Sequence, residues 1–325
     1  MTVKGISLLS GGLDSLLATK VILEQGIEVM GVTFETPFFS ARKARSAAAQ
    51  LKLPLLVQDI TEEHLGMLKA PIYGYGKNMN PCIDCHTLML KKAGNVMEER
   101  GADFVFTGEV LGQRLMSQNR RSLQIVAKNS GYESVILRPL SARLLPKTKP
   151  EMEGIVDREK LLAIHGKGRK QQLDLAKHYG IIEFATPAGG CLLTDPPFSK
   201  RLKDLFNHQK EFSIRDVNLL KVGRHFRRDA SFKVIVGRNR MDNESISHLL
   251  ENGDTVIHME NFSGPTVLVP HECDENTLLF AASLCALYSD APNDREVVAI
   301  FRTKGVTASV KIKAADRDDV ESLMI

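Results

Sequence analysis

Tryptophan is absent from this chain of 325 residues, and aromatic residues make up only 6% of it. Flat surfaces on which ring systems could stack are therefore scarce. No apolar run approaches the length needed to cross a bilayer as a helix, which excludes a helical membrane protein. The first residues lack the basic start and cleavage site of a signal peptide, because their one apolar run ends at Gly11-Gly12. A cytoplasmic protein without membrane association is the expectation. In that compartment five cysteines do not read as a disulfide framework and point instead to metal ligands or reactive thiols. Internal repeats and low-complexity tracts are missing as well. What remains is an ordinary globular composition, 43% hydrophobic and 25% charged, in a chain long enough for two domains. The net charge of +4 leans mildly towards polyanions and decides little alone.

The most informative segment is Ser10-Gly11-Gly12-Leu13-Asp14-Ser15. Val3 to Leu9 reads as a buried strand and Leu16 to Gln25 as the helix after it. A Gly-rich turn between them aims backbone N–H groups and a helix N-terminus at whatever sits above, which favours an anion. Gly11 and Gly12 permit close approach, Ser10 and Ser15 add hydroxyls, and Asp14 can hold Mg²⁺ beside a phosphate. No Lys follows the glycines, so this is not a Walker A loop. The loop resembles the PP-loop of ATP pyrophosphatases, which split ATP between the α and β phosphates and activate a substrate as an adenylate.

The first part of the chain alternates strand and helix. Ile27 to Phe34, Pro54 to Ile60, Ala102 to Glu109 and Ser134 to Leu137 read as further strands. Ala41 to Leu51, His86 to Arg100 and Gln113 to Ser130 read as helices. This predicts an α/β fold, a doubly wound parallel sheet with ligands at the carboxyl ends of its strands. The phosphate loop and Thr107-Gly108 both fall at such ends, and Phe34 ends the second strand. Leu140 to Ile182 reads as helical and basic, and the Pro/Gly-rich stretch from Thr186 to Pro197 as a boundary. We therefore expect domains at 1–195 and 196–325. The second, with short strands at Lys233 to Val236, Thr255 to Met259 and Thr266 to Val269, reads as α+β. A helix at Asn276 to Ser289 and a terminal pair, Glu296 to Arg302 and Ala308 to Ile312, complete it.

Asn80-Pro81-Cys82-Ile83-Asp84-Cys85-His86 sets two thiols at metal-ligand spacing, and Cys191 follows far downstream in a Gly-rich loop. Three thiolates suit a [4Fe–4S] cluster with one iron left open. Zinc suits the set less well, since it wants a fourth ligand and His86 would have to join. A metal-free alternative makes Cys191 a persulfide that Cys82 or Cys85 resolves. Cys-x-x-Cys-His also matches c-type haem attachment, but that chemistry belongs to exported proteins. Cys285, in an apolar helical stretch, reads as core.

The phosphate loop, Asn80-Pro81-Cys82-x-x-Cys85, Thr107-Gly108 and the late Cys191 together resemble the tRNA thiolation enzymes. The resemblance covers about Val3 to Leu193. It implies ATP with Mg²⁺ on Ser10, Gly11, Gly12, Asp14, Ser15, Thr107 and Gly108, with Phe34 near the adenine. It also implies catalytic roles for Asp14, Cys82, Cys85 and Cys191, and a sulfur donor, either sulfide or a persulfide-carrying protein. One departure stands out: 2-thiouridylases carry Asp directly after Asn-Pro, where this chain has Cys82, and Asp84 is displaced by two positions.

The C-terminal part resembles the RNA-binding domain of NFACT proteins, through Val236-Gly237-Arg238-Asn239, Asp254-Thr255-Val256-Ile257-His258, Gly264-Pro265 and Ala281-Ala282-Ser283. Its stretch Lys221 to Arg240 holds Arg224, Arg227, Arg228, Arg238 and Arg240 beside two lysines, against the single acid Asp229. Such a segment can neutralise phosphates. With few aromatics nearby, it points to backbone and shape recognition of folded RNA. Arg114 adds a candidate RNA contact in the first domain. The joint expectation is an ATP-dependent tRNA sulfurtransferase, compatible with a homodimer. Its rivals are sulfur transfer to a small molecule and an RNA-binding factor in which ATP only switches conformation.

Overall fold

Residues 2–184 and 190–325 are described by the computed structural model, in two compact units, Met1–Thr194 and Asp195–Ile325. In the first, the strands are β1 (Lys4–Leu8), β2 (Glu28–Glu35), β3 (Leu55–Asp59), β4 (Phe104–Thr107) and β5 (Ile136–Leu137). Between and after them come α1 (Leu13–Leu23), α2 (Arg42–Leu51), α3 (Thr61–Lys69), α4 (Cys82–Glu99), α5 (Arg120–Ser130), α6 (Lys149–Met152) and α7 (Lys170–His178). The strands form one parallel sheet in the order β3-β2-β1-β4-β5. Strand order reverses between β1 and β4, so the crevice beyond their carboxyl ends is the natural ligand site of such a sheet.

Local chemistry explains the elements. α1 is apolar nearly all round because its Leu13, Leu16, Leu17, Val21 and Ile22 are all buried. α4 begins at Cys82, directly after Pro81, and not at His86 as the motif suggested. The Cys-x-x-Cys pair is thus the first turn of a helix rather than a loop. α5 begins at Arg120, later than the expected Gln113, because the Asn119 side chain accepts from Ser122 N at 2.9 Å and caps it there. α3 was not expected. It is started by Asp59, whose carboxylate accepts from Thr61 N at 2.7 Å. Between Leu140 and Ile182, expected to be helical, the structure has only α6, α7 and single turns. Of the Gly-rich stretch expected to carry Cys191, residues 185–189 lie outside the described residues.

The second unit holds α8 (Pro196–His208), α9 (Ile214–Leu219), β6 (Arg224–Arg227), β7 (Lys233–Val236) and α10 (Arg240–His248). It continues with β8 (Thr255–Met259), β9 (Val267–Val269), α11 (Glu275–Leu287), β10 (Val297–Thr303), β11 (Val306–Ile312) and α12 (Arg317–Glu321). Its six strands make an antiparallel sheet, β11-β10-β8-β9-β7-β6. The small buried residues Ala281, Ala282, Cys285 and Ala286 bring α11 close against it. Cys285 is core, as its setting suggested, and burial pushes its thiol up to about 12. Among the described residues no helix is long and apolar enough to cross a membrane.

Candidate active site

The phosphate loop fills the crevice between β1 and β4. Gly12 starts α1 with no side-chain cap, leaving the helix N-terminus for a ligand. Ser15 Oγ donates to Gly12 O at 2.8 Å, and Gly12 N donates to Ser10 Oγ at 3.3 Å, so both hydroxyls shape the turn. Gly11 adopts φ +77, and a Cβ there would lie 2.4 Å from the backbone of Lys43 at the start of α2. A Cβ on Gly108 would meet Ser15 N at 2.4 Å and Asp14 C at 2.5 Å. The loop is therefore gripped by backbone on two sides, and neither glycine has room for a side chain.

Asp14 Oδ2 accepts from Gln113 Nε2 at 2.8 Å, whereas its Oδ1 is buried with no partner. An orphan carboxylate oxygen beside an open helix N-terminus suits a divalent cation next to a phosphate. Gln113 is held in turn by Gln172 Nε2 at 3.4 Å. Phe34, expected near the adenine, is 3% exposed and packs in the core with Ile6, Val32 and Ile60. Its ring offers no face to a nucleotide.

The thiols gather beside this crevice. Burial pushes the Cys191 thiol up to about 11; the Cys82 charge raises it further, while Arg114 pulls it down. Cys85 is raised well above its ordinary value by burial, then by Cys191 and Cys82. The three thiols thus feel one another, and Arg114 sits with them. Cys82 Sγ accepts from Asn80 Nδ2 at 3.1 Å, and Asn78 Nδ2 donates to Thr194 O at 2.8 Å, which ties this segment to the one carrying Cys191. Among the described residues no three His, Cys, Asp or Glu side chains stand as a closed metal cage. Asp84 is structural: its carboxylate accepts from Ile72 N at 3.0 Å and Tyr73 N at 3.1 Å.

Several groups here were missed in the sequence. His64, fully buried, brings Nε2 to 3.5 Å from Cys85 Sγ, and burial lowers its pKa to about 4. It lies between the rings of Phe38 and Phe39, and no local pattern marks it. His86, considered as a fourth ligand, gives Nδ1 to Glu109 Oε1 at 2.8 Å instead. Glu109 Oε2 accepts from Arg138 Nε at 3.0 Å. Burial opposes ionisation of Glu109, but Arg138 and His86 prevail and hold its pKa at about 2. Glu109 directly follows Thr107-Gly108 at the end of β4, and that position was the available signal.

In the second unit the cations of 221–240 are largely matched. Arg227 binds Asp204 through two nitrogens, at 2.6 and 2.8 Å, and its side chain is 13% exposed. Lys233 joins the same carboxylate at 3.9 Å. Arg238 pairs with Asp242 and Arg240 with Glu244, both along α10 or its start. Arg224 lies 4.6 Å over the Tyr288 ring, and Arg228 acts on Asp274. Arg228 is exposed, and the Arg240 side chain is 92% exposed.

Comparison with known proteins finds a different family in each unit. Residues 1–147 match the thiamine biosynthesis protein (ThiI) family, and residues 223–324 match the NFACT protein RNA binding domain. A tRNA-specific 2-thiouridylase of Syntrophotalea carbinolica is 33% identical over 141 residues, covering 38% of this chain and 38% of that protein. A probable tRNA sulfurtransferase of Thermococcus kodakarensis is 32% identical over 146 residues, covering 42% of this chain and 36% of that one. The chain thus spans less than half the length of the curated relatives it matches. A solved 4-thiouridine synthetase–RNA complex with bound ATP aligns over 67% of this chain and 52% of that one, at 22% identity and a TM-score of 0.38. The C-terminal part of the fibronectin/fibrinogen-binding protein of Streptococcus suis aligns over 75% of this chain and 90% of its own, at 12% identity and a TM-score of 0.29. Both scores are too low to define a shared fold.

Proposed function

We propose that this chain, whose first unit carries a ThiI-type PP-loop domain and whose second carries an NFACT-type RNA-binding domain, is an ATP-dependent tRNA sulfurtransferase. The observation that carries the reading is the juxtaposition of a Lys-free phosphate loop, an orphan Asp14 oxygen and three mutually coupled thiols. The open N-terminus of α1, with Ser10 and Ser15, would hold the phosphates of ATP, and Asp14 Oδ1 would hold its Mg²⁺. A carbonyl oxygen of the target base attacks the α-phosphorus and pyrophosphate leaves. Sulfur then attacks the same carbon, and AMP departs carrying the original oxygen.

Cys82, Cys85 and Cys191 carry the sulfur chemistry. Their donor set, three part-buried thiols with the His64 imidazole beside Cys85, suits a soft centre. Those three cysteines would hold a [4Fe–4S] cluster, which when bound supplies an iron able to carry a sulfide. Asn80 orients Cys82 by donating to its sulfur, and the Arg114 charge favours the thiolate of Cys191. The donor is sulfide, already at the oxidation level of the product, or a persulfide-carrying protein, whose outer sulfur reaches that level as two of the three thiols close to a disulfide. RNA docks on the second unit, with residues 1–195 for catalysis and 196–325 for docking. Arg240, with a side chain 92% exposed, is an accessible cation there, while Arg227 serves the fold.

The test is to incubate anaerobically purified protein with ATP, sulfide and unfractionated tRNA, and to follow nucleotides and nucleosides by mass spectrometry. AMP, pyrophosphate and a thiolated base are expected. ADP and phosphate as products would overturn the assignment, and zinc in place of iron in active protein would overturn the cluster.

A further inference from the structure

We infer that the turn 71–75 is a nucleobase-contacting surface of this enzyme, built beside its thiols. The inference rests on the sulfurtransferase reading and adds a second contact with the RNA, inside the catalytic unit. Three large apolar side chains lie exposed within four residues: Ile72 at 86%, Tyr73 at 42% and Tyr75 at 37%. In a chain with so few aromatic residues, a cluster this exposed calls for a partner.

The turn is stiff. Gly74 N donates to Pro71 O at 3.3 Å and closes it, and Gly76 N donates to Asn80 O at 2.9 Å. Asp84, the residue between Cys82 and Cys85, takes the backbone N–H of both Ile72 and Tyr73. The turn is thereby pinned to the first turn of α4, which carries the thiols. Both rings are fixed at their hydroxyl ends. Tyr73 Oη accepts from Asn129 Nδ2 at 2.7 Å, and Tyr75 Oη donates to Leu68 O at 2.6 Å. Their faces stay in reach of solvent, so a base that stacks on them costs little side-chain entropy.

The chemistry favours RNA over a protein. Leu68 to Asn80 contains Lys69 and Lys77 and no acid, so an anionic backbone meets no repulsion there. A base that is to receive sulfur must leave its stack, and its unstacked neighbours need flat surfaces; aromatic side chains supply them in single-stranded RNA recognition. Ile72, 86% exposed, directly precedes the two rings in sequence and suits a wedge between base steps.

The experiment uses the full chain and fluorescently labelled unfractionated tRNA, titrated at several salt concentrations. Tyr73→Leu and Tyr75→Leu should each weaken binding about tenfold without changing the salt slope, because stacking releases no counterions. Tyr73→Phe keeps the face and loses the Asn129 contact, so it should bind like the parent. Ile72→Ser, at an exposed position where folding is not at stake, should also weaken binding. ATP binding should be unaffected in all four. Normal tRNA affinity in the Leu and Ser variants would overturn the inference. So would normal tRNA affinity with impaired sulfur transfer from a persulfide-carrying protein, which would make the turn a donor-docking site. If the parent chain binds no tRNA at all, the sulfurtransferase reading itself fails, an outcome separate from either of these.

Discussion

The crevice at the carboxyl end of the parallel sheet and the basic stretch of the antiparallel unit handle charge in opposite ways. At the crevice, Asp14 Oδ1, Gln118 Oε1 and Gln172 Oε1 are buried without partners, and an uncapped helix N-terminus faces them. In the stretch 221–240, Arg227, Lys233, Arg238 and Arg240 each find a carboxylate within the same unit. A count of basic residues therefore overstated how much charge faces a ligand. Buried atoms without partners also occur in the second unit, at Arg201 Nε, His225 Nδ1 and Thr277 Oγ1, so it is an orphan carboxylate oxygen beside an open helix N-terminus that distinguishes the crevice.

The sharpest way to break this contrast is Asp14→Asn. Asn keeps an acceptor for Gln113 and removes the anionic oxygen, so AMP formation should fall by on the order of a thousandfold while the melting temperature holds. Unchanged AMP production would show that the orphan oxygen is not a ligand.

Arg227→Ala should behave as a fold mutation. It leaves Asp204 buried without its bidentate partner, at a cost of about 3 kcal/mol, read as loss of the second unit's stability in chemical denaturation. Arg240→Ala should change stability by less than about 0.5 kcal/mol, yet reduce the salt slope of tRNA binding by about one. If the two variants behave alike, buried and exposed ion pairs are not distinct classes here.

Gly108→Ala should cost about 1–3 kcal/mol, since its Cβ would collide with the backbone of Asp14 and Ser15, and should weaken ATP binding as well. Thermal unfolding with and without ATP reads both effects.

The mildest effect concerns Glu109. Its carboxyl titrates at about 2 in the fold against an ordinary 4.5. The stability it contributes is complete above the ordinary value and is lost as pH falls through the folded one. Denaturation between these limits should show an acid slope that Glu109→Gln flattens. An identical slope in the variant would mean that Arg138 and His86 do not hold the charge.

The parallel sheet was legible because strand and helix alternate with clear periods and because Ser10 to Ser15 is a local motif. The Cys82–Cys85 pair was legible from spacing, and its partnership with Cys191 is part of the proposal above. Its surroundings were not: His64 reaches Cys85 from a helix that the sequence did not suggest, and Phe34 ends a strand yet turns inward. Pairing was equally hidden, since Asp204 and Arg227 lie on different elements and meet only in the fold. Local pattern reports what a segment can become; burial and partners depend on residues far along the chain.

The grip on the phosphate loop has a mechanical side. With the backbone of α2 on one flank and Gly108 on the other, the loop has no slack in which to adjust alone. A nucleotide that shifts it must also shift residues 43–44 and 108–113, and through Gln113 the helix α7 that bears Gln172. Any shift of the loop would therefore reach the β4 end, next to Glu109 and His86, through contacts already in place.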